Sequence, residues 1–94
     1  MSRPGKRRVH VVVRGRVQGV AFRFHTAEAA RRAGVAGWVR NRADGAVEAV
    51  FEGPAPAVQV ALEAVRCGPR HARVDAVEVG EEAPDGEVGF EIRG

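Results

Sequence analysis

Two stretches of helical period, set among stretches that alternate apolar and polar residues, constrain this chain more than any single residue does. Arg7 to Arg14 places Val9, Val11 and Val13 on one side and His10, Val12 and Arg14 on the other, the period of a half-buried strand. Phe22 to Ala33 then reads as a helix, with Phe22, Ala29, Ala30 and Ala33 on one face, no interior Gly or Pro, and Gly34 as a left-handed stop. Val35 to Arg42 reads as a second strand, and Asp44-Gly45 as a type I′ hairpin turn. Val47 to Glu52 alternates again, Val47, Ala49 and Phe51 toward a core and Glu48 and Glu52 toward water. Val58, Ala61, Leu62 and Val65 form one apolar stripe, which predicts a second helix from Pro56 to Cys67, ended by Gly68-Pro69. Arg73 to Glu81 is a fourth predicted strand, Ala83 to Gly86 a turn, and Val88 to Arg93 a short fifth strand.

The resulting order is β-α-β-β-α-β with an extra C-terminal strand. The expected fold is an α/β (α+β) sandwich of ferredoxin-like type, two helices on one face of a mostly antiparallel sheet whose other face meets water. A length of 94 residues bounds this to one domain, expected over 7–94, with 1–6 as a flexible basic arm. No apolar run approaches the ~20 residues that span a bilayer, and the basic start leads into no signal-peptide core. A cytoplasmic protein with no membrane association is expected. One cysteine, Cys67, permits no internal disulfide and is expected as a small buried hydrophobe. With His10, His25 and His71 scattered, no metal-ligand spacing exists, so neither a metal nor another cofactor is expected.

Charge is divided along the chain. Met1 to Val47 carries eleven Lys and Arg against two acids, and Glu48 to Gly94 carries four Arg against ten acids. A basic first half suits an anionic partner, either a small anion or a nucleic acid. Fourteen of the fifteen basic residues are Arg, a bias that a GC-rich genome also produces, so composition alone marks no arginine as functional.

The segment GRVQGVAFR, Gly15 to Arg23, joins the first strand to the first helix. Amides in the first turn of a helix lack internal partners and carry the positive end of its dipole. Gly15 and Gly19 allow successive amides to converge into an anion nest, and Arg23 adds a guanidinium able to hold the same oxygens in bidentate fashion. The spacing is equally that of a simple strand-to-helix connection with surface arginines. It is neither a Walker loop nor G-x-G-x-x-G.

This segment resembles the signature of the acylphosphatase family. Gly37-Trp38-Val39-Arg40-Asn41, followed by Asp44-Gly45 and Val47-Glu48, resembles that family's second block, and Gly89 to Arg93 its usual ending. The resemblance covers nearly all of the chain beyond residue 6 and implies the same ferredoxin-like fold. It implies hydrolysis of carboxyl–phosphate anhydrides to a carboxylate and inorganic phosphate. Arg23 matches the arginine that binds the phosphoryl group, Asn41 the asparagine that orients water, and Gly15, Arg16, Val17, Gln18, Gly19 and Val20 the phosphate-binding loop. Ala21 stands where many members have Gly. A small acyl phosphate is the implied substrate, with phosphate or sulfate as product-like ligands, for a monomer that binds no nucleic acid.

So sparse a site suits that substrate. A carboxylate leaving group, with a conjugate-acid pKa of about 4 to 5, departs without a general acid. A loose phosphoryl transition state asks mainly for positioning and charge stabilisation. Other residues carry blander expectations: His25 a solvated helix residue, Trp38 a core or edge-packing residue, Arg16 added potential at the mouth. Arg14, Arg40, Arg42 and Glu81-Glu82 are expected as solvated charges. Three rivals have specific marks. An RNA-binding module of the same fold needs exposed strand aromatics, and VEAVFE offers one, Phe51, toward the core. A non-catalytic phosphate-binding domain, or a piece of a larger enzyme, would keep the loop. A metal chaperone would need Cys-x-x-Cys, which is absent.

Overall fold

The chain, seen in a computed structural model that describes residues 5–94, runs β1 (Lys6–Arg16), α1 (Phe22–Ala33), β2 (Ala36–Asn41), β3 (Val47–Pro54), α2 (Ala55–Cys67), β4 (Arg73–Glu82) and β5 (Phe90–Ile92). One sheet is ordered β4-β1-β3-β2-β5, antiparallel throughout except for the parallel pair β2 and β5. Of the expected basic arm, residues 1–4 lie outside the described residues, whereas Lys6 opens β1 opposite Pro54.

Register follows from the alternation. Val9, Val11 and Val13 stand opposite Phe51, Ala49 and Val47, and Val39 opposite Ala49, all within one core. Val58, Ala61, Leu62 and Val65 of α2 close over them as the stripe predicts. On α1 the buried row is Phe22, Thr26, Ala27 and Ala30, so the packed face is turned from the expected Ala29 and Ala33, which are half-buried. A polar Thr in the row hid this from an apolar count.

Four further expectations are corrected. Glu48 and Glu52 do not meet water; they are 7% and 3% exposed. β3 is the central strand, and long side chains from its neighbours roof it over. The β2–β3 turn is not type I′. Gly45 N–H donates to Arg42 O at 3.2 Å, Arg42 N–H to Ala46 O at 2.8 Å, and of the central pair only Gly45 has positive φ, at 92°. This is the longer hairpin turn with glycine in the left-handed position. β5 starts at Phe90, because Gly89 (φ 71°) turns the chain and leaves Val88 91% exposed. Cys67, at the last turn of α2, is exposed.

Candidate active site

The segment between β1 and α1 divides its residues between structure and site. Gly15 belongs to β1, where the register against β4 shifts after Arg14. Its φ is 135°, and a Cβ there would lie 2.1 Å from the Arg73 carbonyl oxygen, so only glycine fits this bulge. Arg16 ends the strand with its side chain exposed. Val17 dives into the core at 1% exposure. The Gln18 side-chain amide donates to the carbonyls of Arg42 and Ala46, at 2.7 and 2.9 Å. Gln18 thereby bolts the loop onto the hairpin that carries Asn41.

Gly19 (φ 75°) and Ala21 (φ 60°, ψ 27°) then swing the chain into α1. Ala21 is the one non-glycine residue with positive φ among the described residues, a conformation that costs it about 1 kcal/mol. The first helical hydrogen bond runs from His25 N–H to Ala21 O at 3.0 Å. No side chain caps the helix and no acid lies in its first turn. Among the described residues, the N–H groups of Gly19 to Phe24 find no protein acceptor.

The residues of this run other than Val20 border a cavity of about 310 Å³, whose walls include Val17, Gly19, Ala21 and Phe22, together with Arg23, Phe24 and Asn41. Asn41, the last residue of β2, stands opposite Val47 and on the helix side of the sheet, in line with Val39. Arg23 is half-buried, and its Nη1 donates to the Arg93 carbonyl at 3.0 Å. Arg93 is fixed in turn by its N–H to Val39 O at 2.8 Å and by its guanidinium, 5.0 Å from the centre of the Trp38 ring. Among the described residues no carboxylate lies within ion-pair distance of Arg23, so its charge is not neutralised by the chain. Gly15, Arg16, Gln18 and Val20 of the expected site residues do not line the cavity; Val20 packs against the core.

A larger cavity of about 490 Å³ lies at the hairpin, against Arg40, Arg42, Asp44 and Glu48, and also touches Asn41. Its charges are already paired. Arg42 meets Asp44 at 3.0 Å and Arg40 meets Glu48 at 2.6 Å. The Ala46 amide, and then Arg42, hold the Asp44 carboxyl below its usual range. Burial pushes Glu48 up, but hydrogen bonds from His10 and Arg40 outweigh it and leave its carboxyl low. An anion finds less to attract it here than beside Arg23.

Sequence reasoning missed the left-handed Ala21, the Gln18 anchor, the Arg93 carbonyl and Phe24. The Arg93 contact is main-chain, so no side-chain pattern announces it. His25, expected in solvent, is half-buried with Nε2 3.2 Å from the Ala64 carbonyl of α2.

Fold and site together define a class, that of ferredoxin-like α/β sandwiches whose first helix opens onto a cavity shared by an arginine and an asparagine. Within it, the acylphosphatase family model matches residues 9–92. The chain is 59% identical over 88 residues to an acylphosphatase of Rubrobacter xylanophilus, covering 93% of this chain and 80% of that one. It is 56% identical over 85 residues to one from Gloeobacter violaceus, covering 90% and 91%. The crystal structure of acylphosphatase from Bacillus subtilis matches with a TM-score of 0.90 at 40% identity, over 93% of this chain and 98% of that one. The chain belongs to the acylphosphatase family, and is a hydrolase of that family.

Proposed function

We propose that the cavity at the start of α1 hydrolyses acyl phosphates by attack of water on phosphorus. The observation that supports this reading is a set of donors along one cavity: Gly19, Ala21, Phe22, Arg23 and Phe24, whose amides have no protein acceptor among the described residues, and the Arg23 guanidinium, which has no carboxylate. The amides and Arg23 bind the phosphoryl oxygens and stabilise the charge that spreads over them in a loose transition state. Asn41 both accepts from and donates to the attacking water, and does so without titrating. The leaving carboxylate departs as an anion, so no general acid is required. Gln18 holds the loop and the Asn41 hairpin in register.

The finer parts of the reading are a monomer acting in the cytoplasm on a small acyl phosphate. No helix among the described residues is long and apolar enough to cross a membrane. An RNA-binding role gains no support from the sheet's open face. Its central strand presents Glu48 and Glu52, and its Trp38 ring is covered by Arg40 and Arg93, 5.5 and 5.0 Å from the ring centre.

Phosphate release from benzoyl phosphate and acetyl phosphate, against a phosphomonoester control, tests the reading. Turnover of both anhydrides with an inert ester is expected. Binding of phosphate without turnover of either anhydride would make the domain a non-catalytic binding module.

A further inference from the structure

Phe24 is out of place for a residue of its kind. Phe22, Phe51 and Phe90 are 2%, 0% and 6% exposed, whereas Phe24 is 68% exposed. It lies on the first turn of α1, next to Arg23, and contributes to the wall of the same cavity. A benzyl side chain left in water forgoes the burial that drives its relatives into the core. An exposed aromatic that borders a binding cavity recovers that burial when a ligand packs on it.

The cavity's dimensions say which part of a ligand that is. A phosphate group, bridging oxygen included, has five heavy atoms and fills a minor part of about 310 Å³. The polar donors that suit it are the loop amides, Arg23 and Asn41. What remains of the wall is hydrocarbon: Val17, Ala21, Phe22 and Phe24. None of these offers a partner to a charge on the carbon side of the substrate, and a second carboxylate or an ammonium there would be desolvated without compensation.

On the reading that this cavity cleaves acyl phosphates, we propose that Phe24 forms the acyl-group wall of the site. It selects substrates whose acyl part is apolar, flat or branched, over those whose acyl part is very small or carries a charge. Phe24 determines specificity; it takes no part in the displacement at phosphorus. Phosphate affinity therefore belongs to the amides and Arg23, and acyl preference to Phe24.

The test compares benzoyl phosphate with acetyl phosphate on the wild-type chain and on Phe24→Ala and Phe24→Leu. Benzoate and acetate are leaving groups of similar basicity, and comparing the kcat/KM ratio between variants cancels their intrinsic reactivities. Phe24→Ala is expected to lower the benzoyl-to-acetyl ratio about tenfold, chiefly through the KM of benzoyl phosphate. Phe24→Leu should restore most of it, and inhibition by inorganic phosphate should stay at the wild-type constant in both. Because the side chain is exposed, and Ala and Leu are strong helix formers, both variants should fold. A ratio unchanged in Phe24→Ala, while the wild-type chain turns over both substrates, overturns this inference alone. A phosphate inhibition constant that moves as far as the ratio also overturns it, since Phe24 would then be acting through the anion site. A wild-type chain inert on both substrates overturns the hydrolase reading and this one with it.

Discussion

Two short runs of consecutive main-chain amides in this chain lie beside an arginine, and one of them holds an oxyanion of the chain itself. In the turn before β5, the N–H groups of Asp85, Gly86 and Glu87 donate to the Glu52 carboxylate at 2.9, 2.8 and 3.1 Å. Arg8 reaches the same carboxylate at 3.0 Å. At the start of α1, the amides of Gly19 to Phe24 and the Arg23 guanidinium have no such carboxylate, and all of these residues but Val20 line the cavity. The first run shows how firmly this combination holds an oxyanion. The Asp85 amide, against the opposing pull of burial, and then Arg8 and the other two amides bring the Glu52 carboxyl from an ordinary 4.5 down to about 2. In the turn the chain supplies its own anion and gains a clamp over the open face of the sheet. At α1 the same kind of donor set has no anion from the described residues, which is what the proposed phosphoryl ligand would supply.

The comparison breaks most visibly at Arg23. Arg23→Ala should lower kcat/KM on an acyl phosphate about a thousandfold and abolish inhibition by inorganic phosphate, because the amides alone lack the charge that completes the grip. Measured turnover within tenfold of wild type would separate the two nests in kind. Asn41→Ala should lower kcat about a hundredfold while the phosphate inhibition constant stays put, since it misplaces water and leaves the anion's donors intact. A shifted inhibition constant with unchanged kcat would move Asn41 from the water to the anion.

The filled nest is sharpened through stability. Glu52→Gln keeps an acceptor but removes the charge, and should cost about 2 kcal/mol in urea unfolding, through the weakened bonds to Arg8 and the three amides. The acid dependence carries the sign. The folded carboxyl titrates below the unfolded one, so its contribution is complete above pH 4.5 and drains away as pH falls toward 2. The variant should lose that part of the acid profile; an identical profile in both proteins would show that Glu52 is not held as an anion. The smallest expected effect is at Ala21. Ala21→Gly relieves about 1 kcal/mol of left-handed strain, partly offset by glycine's larger entropy loss, for a net gain of about 0.5 kcal/mol by the same measurement. A loss of stability would mean that the methyl group contributes packing that outweighs the strain.

What the sequence made legible is local. Alternation in β1 and β3 and the stripe on α2 placed the core, and Gly34 ends α1 in the left-handed conformation expected of it, at φ 77°. The placement of Arg23 and Asn41 on one cavity follows from two motifs that the topology brings together. What stayed hidden depends on partners far along the chain. Glu52 reads as a solvated strand residue until Arg8, 44 positions away, and the amides 33 to 35 positions away close around it. Gly15 reads as a loop glycine because nothing in its neighbourhood reveals the Arg73 carbonyl pressed against it. Gln18 reads as a phosphate-loop residue because its acceptors are carbonyls of another hairpin, which have no sequence signature. Side-chain period reports which way a residue faces, and it is silent on main-chain groups, which build most of this site.

The most direct test is a titration of the isotopically labelled chain with inorganic phosphate, followed by amide chemical shifts. The amides of Gly19 to Phe24 should move together and saturate with one binding constant, while those of Asp85, Gly86 and Glu87, already bonded to Glu52, stay fixed. Phosphate that leaves the Gly19 to Phe24 amides unmoved, or that shifts them no more than it shifts the Asp85 to Glu87 amides, would contradict the assignment of the α1 start as the anion site.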